Sequence, residues 1–239
     1  WYGYSPQLNC VILYSPGMPR VPECPVGPYV LCVGNQLNGF TFSPLAAKIR
    51  SLGLGLDTIT VPHHEVSLEM IERLDHPPVA VILSGNNADY NREPMFEFNG
   101  EFELIRTCRI PIFGICCGHQ MTTMAYGFTN VRGMGWSDVT SLRPPQKRTK
   151  IDIVAGDVPL FDGVPNPFTA PEVHGCEVAN LPENYRLTAK SSYVQCLTRT
   201  DKVLFTSQFH PEIESDTNEA LPYLRNFLAM ALDRAKAKE

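Results

Sequence analysis

Short runs of consecutive apolar residues alternate along this chain with stretches whose apolar positions recur every three or four residues. The apolar runs are "YVLCVG" from Tyr29, "VAVIL" from Val79 and "IPIFGIC" from Ile110, and "LDTITV" from Leu56 reads as a further strand. The three apolar runs are bracketed by turn-forming residues, the pattern of strands buried on both faces. Between them, "SPLAAKIRSLG", "SLEMIERL" and "GEFELIRTC" have helical spacing, with Ser43 placed as N-cap, Pro44 at the first helical position and Gly53 as stop. "GHQMTTMAYG" reads as a further helix stopped at Gly127. The texture then changes. From about 130 to 209 the segments "KIDIV", "YRLTAKS", "YVQCLTRT" and "KVLFTSQF" are alternating or β-branched, which predicts antiparallel strands extending the same sheet. Residues 217–234 close the chain as a helix with Leu221, Leu224, Leu228 and Ala231 on one face. The alternation predicts one α/β domain over 29–239, an open, mostly parallel sheet with helices on both faces and an antiparallel extension. Residues 1–28 carry six prolines and no clear period, and read as a Pro-rich irregular arm packed on the surface.

Composition narrows the function classes. The chain has 239 residues, 44% hydrophobic and 19% charged, enough for one domain with a full core. Net charge is −5 and the longest basic cluster is "KRTK" at 147–150, which argues against nucleic acid or an anionic membrane as main partner. No apolar run reaches the length of a spanning helix, and "WYGYSPQLNC" does not read as a signal peptide. The eight cysteines are too sparse for a disulfide scaffold, and none forms a Cys-x-x-Cys pair or joins a His-x-x-x-His. Free thiols in a reducing compartment, hence a cytoplasmic protein without a bound metal, are the expectation. His63-His64, after a proline at a strand end, reads as a surface turn; Cys32, Cys108 and Cys196 read as core; Trp136 reads as a residue lining a pocket mouth.

The candidate chemistry sits where a buried strand passes into a helix. Gly114-Ile115-Cys116-Cys117-Gly118 has the small-x-nucleophile-x-small spacing of a nucleophile elbow, with Cys in place of Ser. In that frame the central residue is Cys116. Its sulfur would stand at a helix N-terminus, where free N–H groups and the dipole favour a thiolate, and the Cys117 amide would face an oxyanion. On the pentapeptide alone, a nucleophile and a small buried hydrophobe are both open. "SQFHPE" at 207–212 adds His210 and Glu212 just past the C-terminal end of a strand, the edge where α/β sheets gather catalytic groups. A cysteine needs a base, and the base needs a group to orient it. The three together favour the nucleophile.

"PIFGICCGHQ" followed by "HPE", with 94 positions from Cys116 to His210, resembles the signature of the class I (triad) glutamine amidotransferases. The likeness runs from about Tyr29 to the C-terminus and implies a flavodoxin-like amidotransferase fold. It implies that Cys116 attacks the side-chain amide of glutamine, that His210 protonates the departing ammonia, and that Glu212 orients His210. It further implies that Gln120 helps hold the substrate amide, that Val173, Gly175 and Cys176 of "VHGCEV" receive the amino-acid end, and that no cofactor is needed. His119 and His174 match motif positions with packing or hydrogen-bonding roles. One loop departs from the pattern. Where family members carry Gly-Gly-Pro-Gly or Asn-Gly-Pro-Gly, this chain has Ser84-Gly85-Asn86-Asn87-Ala88-Asp89. Gly85 and Asn86 are then expected at the substrate, with Asn86 as the second oxyanion amide, while Asn87 replaces Pro and Ala88 replaces Gly.

Three functions fit these residues. The first is a glutaminase subunit that delivers ammonia to a separate synthetase, favoured because 239 residues show no phosphate-cradling Gly loop or adenylation segment. The second is a free-standing hydrolase of γ-glutamyl amides or peptides using the same cysteine. The third, a non-catalytic regulatory homologue, is disfavoured by the intact Cys116, His210 and Glu212.

Overall fold

Among the described residues nine strands share one sheet, five running parallel and the rest folding back antiparallel. A computed structural model describes residues 2–5, 10–13, 21–35, 43–86, 95–133 and 147–238. In chain order the first strands are β1 (Tyr2–Ser5), β2 (Cys10–Leu13), β3 (Tyr29–Gly34), β4 (Asp57–Pro62), β5 (Ala80–Leu83) and β6 (Ile112–Ile115). They are followed by β7 (Val131–Gly133), β8 (Lys147–Ile153), β9 (Phe168–Glu172), β10 (Cys176–Val178), β11 (Tyr185–Lys190), β12 (Val194–Arg199) and β13 (Leu204–Ser207). The helices are α1 (Ser43–Ser51), α2 (Leu68–Glu72), α3 (Asn99–Thr107), α4 (Cys117–Met124) and α5 (Leu221–Lys236). The sheet order is β4-β3-β5-β6-β13-β12-β11-β8-β9; the pairings from β4 to β13 are parallel and those from β13 to β9 antiparallel.

The apolar runs form strands because both of their faces are covered. In β3, Val30 and Cys32 pack with α1 and α5 residues such as Ile49 and Phe227, while Tyr29, Leu31 and Val33 pack with Met70, Phe102 and Met121 on the opposite face. That two-residue alternation within an uninterrupted apolar run is the mark of a central parallel strand. Ser67 caps α2 by accepting from the Met70 N–H at 3.0 Å. Gly53 ends the first helical segment at φ +70°, a left-handed value that glycine adopts without strain. The buried face of α5 is Tyr223, Leu224, Phe227, Leu228, Ala231 and Leu232, so the helix starts later than its spacing suggests and Leu221 is only partly buried.

Three expectations are corrected. The alternation of "KVLFTSQF" predicts an antiparallel strand, yet β13 lies parallel to β6, with Leu204 opposite Ile112 and Ser207 opposite Ile115. Local pattern does not distinguish the two, because direction is set by which neighbour the chain returns to. β7 and β10 leave the main sheet and pair with each other. Within the arm, β1 and β2 form an antiparallel pair, so it is not wholly irregular.

The antiparallel wing curls back on itself. Although β9 is the far edge strand, the His210 N–H donates to the Pro171 carbonyl at 2.9 Å and the Glu219 N–H to the Thr169 carbonyl at 3.0 Å. The segment after β13 is thereby held between the middle of the sheet and the edge of the wing. Among the described residues no helix is long and apolar enough to cross a membrane.

Candidate active site

Cys116 stands between β6 and α4 with φ +51° and ψ −99°, one of two non-glycine residues among those described with positive φ. A cysteine held there carries a backbone cost of about 1–3 kcal/mol, so the surrounding structure must enforce it. The enforcement is visible. The Cys116 N–H donates to the Ser207 carbonyl of β13 at 2.7 Å, and the Gly118 N–H donates to the Ser84 carbonyl beyond β5 at 3.0 Å. A Cβ on Gly114 would lie 2.6 Å from the Gly118 carbonyl oxygen, and one on Gly118 would lie 2.3 Å from that of Leu83. Both glycines are thus required by close backbone approach, in keeping with the elbow spacing. The strained residue is Cys116, while Cys117 opens α4 as a buried helical residue.

His210 and Glu212 follow β13 on a tight turn. The His210 Nδ1–H donates to Glu212 Oε1 at 2.8 Å, which fixes that tautomer because a carboxylate oxygen only accepts. The ring lies over Gly85, where a Cβ would be 2.8 Å from His210 Cε1, 3.7 Å from Nε2 and 3.5 Å from Cys116 Cβ. The Cys116 thiol donates to the Val173 carbonyl at 3.4 Å and lies beside the His210 imidazole, both flanking Gly85. Burial opposes a charge on His210, but the Glu212 carboxylate and the adjoining Cys116 sulfur outweigh it and hold the imidazole well above its ordinary pKa. A protonated imidazole beside a nucleophilic sulfur can return a proton to a leaving group. The turn is stapled by Asn218, whose Nδ2 donates to the carbonyls of His210 (3.3 Å), Pro211 (3.0 Å) and Ile213 (2.8 Å).

Other residues singled out by sequence gather around this centre. The Gln120 Nε2 donates to the Cys176 carbonyl at 2.7 Å and to Gln208 Oε1 at 3.0 Å, so the elbow helix is tied to the strand that carries Cys176. Val173 reaches Cys116 through its carbonyl, Gly175 is exposed at the rim, and the His174 Nδ1 lies 3.0 Å from the Cys176 carbonyl. His119 is fully buried with its Nδ1 at 2.7 Å from Thr206 Oγ1; burial and the neighbouring His174 push its pKa down to about 3, so it is a neutral packing residue at physiological pH. Gly85 and Asn86 lie at the mouth, whereas Asn87, Ala88, Asp89 and Trp136 fall outside the described residues. His63 is a correction. Only His64 is exposed; His63 is buried, stacked on Phe98 at 4.1 Å, with Nδ1 3.1 Å from the Gly34 carbonyl and Nε2 3.6 Å from Glu97.

Sequence reasoning missed Asn218, Gln208 and Thr206, which support the site without any motif of their own. It also missed a buried polar group beneath the Ser84–Asn86 loop, formed by Asn35 and Glu101. Glu101 did carry a signal, since it precedes Leu104 and Ile105 by three and four residues and so lies on the apolar face of α3.

The family described as glutamine amidotransferase class-I matches the chain over residues 41–230. A subunit of glutamine-hydrolyzing GMP synthase from Thermoplasma acidophilum is 28% identical over 179 residues, covering 74% of this chain and 82% of that one. The corresponding subunit from Methanobrevibacter smithii is 33% identical over 163 residues, 67% of this chain and 76% of that one. Glutamine-hydrolyzing GMP synthase of Staphylococcus epidermidis is 31% identical over 201 residues, 83% of this chain but 35% of the longer protein. A solved Thermoplasma acidophilum protein of the GMP synthase subunit type superposes with a TM-score of 0.69 at 27% identity, covering 89% of this chain and 99% of that one.

Proposed function

The chain belongs to the class-I glutamine amidotransferases and hydrolyses the side-chain amide of glutamine; on that premise we propose that Cys116, His210 and Glu212 carry the reaction. The observation that carries this reading is the strained Cys116, set under a His210 imidazole whose other nitrogen is held by Glu212.

The Cys116 sulfur attacks the carboxamide carbon. The negative oxygen that develops is received by the Cys117 amide and by an amide of the Ser84–Asn86 loop, with Asn86 as the expected donor. As the C–N bond breaks, His210 gives its proton to the nitrogen and ammonia departs, leaving a glutamyl thioester on Cys116. Water then adds to the thioester while His210 takes its proton. The C–S bond breaks, glutamate leaves and the sulfur is restored. Glu212 keeps the imidazole in register and balances its charge throughout. Gln120 helps hold the substrate amide, and the main chain of Val173, Gly175 and Cys176 receives the amino-acid end of glutamine. No step calls for a metal or a cofactor.

The ammonia acceptor is a separate synthetase subunit. Support comes from the Thermoplasma and Methanobrevibacter relatives, each named as one subunit of a glutamine-hydrolyzing GMP synthase and each covered over three quarters or more of its length. The departure at Asn87 and Ala88 keeps one other reading in play, a pocket widened for larger γ-glutamyl compounds.

The test is glutamate release from L-glutamine by the purified chain, beside a γ-glutamyl dipeptide, with and without a synthetase subunit from a relative's enzyme. Turnover of glutamine raised by the synthetase, with the dipeptide untouched, is the expected result. Dipeptide cleavage without any partner would overturn the subunit reading. Loss of turnover in Cys117→Ala but not in Cys116→Ala would overturn the assignment of the nucleophile.

A further inference from the structure

The loop that completes the glutamine pocket rests on two buried polar side chains that the reaction does not use. Asn35, at the end of β3, donates from its backbone N–H to Ser84 Oγ at 3.1 Å and from Nδ2 to the Ser84 carbonyl at 3.0 Å. Ser84 Oγ in turn donates to the Gly85 carbonyl at 3.0 Å. Because the Ser84 carbonyl can only accept, the Asn35 amide cannot be flipped, and its Oδ1 points away from that carbonyl. The same Nδ2 donates to Glu101 Oε1 of α3 at 3.3 Å. Glu101 is fully buried, brought to this depth because Gly100 sits against the Val66 carbonyl, where a Cβ would lie 1.9 Å from the oxygen.

Two atoms of this pair have no hydrogen-bond partner, Asn35 Oδ1 and Glu101 Oε2. One is an acceptor. The other becomes a donor as soon as the carboxyl is un-ionised. A buried orphan of either kind costs free energy, and these two are chemical complements on groups already joined at their other ends. We propose that Glu101 is a positioning residue for the glutamine site: its un-ionised carboxyl closes a two-bond ring with the Asn35 carboxamide and through it holds Ser84–Asn86 against Cys116 and His210. The inference rests on the reading of that loop as part of the glutaminase pocket.

The protonation state agrees with the ring. Burial pushes the Glu101 carboxyl up to about 8, against the Asn35 hydrogen bond, which pulls it down. Titratable groups on the flanking elements are engaged elsewhere or lie outside. Glu69 and Glu72 of α2 are exposed, Glu97 faces His63, His119 pairs with Thr206, and Cys117 lies in the core at the start of α4. Ionisation of Glu101 removes the donated proton, breaks one bond of the ring, and leaves a charge buried beneath the loop.

The experiment compares the wild type with Glu101→Gln, whose carboxamide keeps one donor and one acceptor, and with Glu101→Leu, which keeps neither. Hydrogen exchange at the Ser84–Asn86 amides and kcat for glutamate release are followed between pH 6 and 9.5. We expect Glu101→Leu to exchange faster in this loop at every pH and to lose about 10- to 100-fold in kcat with a much smaller change in KM. Glu101→Gln is expected to restore both to within about threefold of wild type at pH 7. The wild type should lose kcat and loop protection above pH 8 while Glu101→Gln does not. Equal exchange in all three proteins, or equal alkaline behaviour of wild type and Glu101→Gln, overturns the proposal. If exchange follows the proposal but no variant releases glutamate under any condition, the glutaminase reading fails and the ring stands.

Discussion

Replacing Gly85 by alanine tests the geometry of the centre most directly. The added methyl would lie 2.8 Å from Cε1 of His210 and 3.5 Å from Cβ of Cys116. Carbon atoms in contact prefer separations of about 3.5–4.0 Å, so the ring or the loop must yield by roughly 0.7–1.2 Å. The ring is poorly free to yield. Its Nδ1 is held by Glu212 at 2.8 Å and its backbone N–H by Pro171 at 2.9 Å. A displacement of about 1 Å between catalytic groups costs on the order of 10²-fold in rate. The assay is kcat for glutamate release at saturating L-glutamine, with thermal melts and the alkylation rate of Cys116 recorded on the same preparations. Gly156→Ala serves as control, since its new Cβ would meet nothing within 4 Å. The expected outcome is a loss near 10²-fold in kcat for Gly85→Ala at nearly unchanged melting temperature, and no loss in the control. Gly85→Ala retaining kcat within about threefold at the same stability would refute the contact between His210 and this loop as a feature of the working enzyme.

Cys116→Ala should abolish the glutamyl thioester detected by mass spectrometry on the intact chain, whereas Cys117→Ala, which changes a buried side chain and not its amide, should retain most of it. Asn218→Ala removes three donated hydrogen bonds from the His210–Ile213 turn and should cost about 1–3 kcal/mol in denaturant unfolding, with a fall in kcat larger than any change in KM. Glu101 should make stability fall with pH. Its folded-state pKa of about 8 lies above the ordinary 4.5, so the folded chain binds this proton more tightly than the unfolded one. That stabilisation is complete below pH 4.5 and is lost as pH rises to 8; the gap of 8 − 4.5 = 3.5 units corresponds to an upper bound of about 5 kcal/mol. Glu101→Gln should therefore gain in melting temperature over wild type between pH 5 and 8, and a constant difference across that range would contradict the raised pKa.

The parallel strands were legible in the sequence because their apolar runs are local and strong. β3, β5 and β6 fall on "YVLCVG", "VAVIL" and "IPIFGIC", and nothing but burial on both faces explains such runs. The elbow was legible for a related reason. A left-handed backbone at Cys116 and backbone contacts at Gly114 and Gly118 demand particular residue types at fixed spacing, so the geometry is written into five consecutive positions. His210 and Glu212 could be named because they are two residues apart on one turn.

Direction and depth were decided only by tertiary structure. "KVLFTSQF" alternates like an antiparallel strand, yet it lies beside β6 and runs parallel to it, and that choice delivers His210 to the same sheet edge as Cys116. Val173 reaches the sulfur because the antiparallel wing curls until Pro171 meets His210, a closure spread over four strands and encoded in no single segment. The burial of His63 and the meeting of Glu101 with Asn35, 66 positions apart, likewise depend on helices crossing strand ends. Spacing and residue type determine what a segment can do to its neighbours in the chain. Which distant groups it will face is set by how the layers pack, and here that packing assembles the pocket around a cysteine the sequence had already marked.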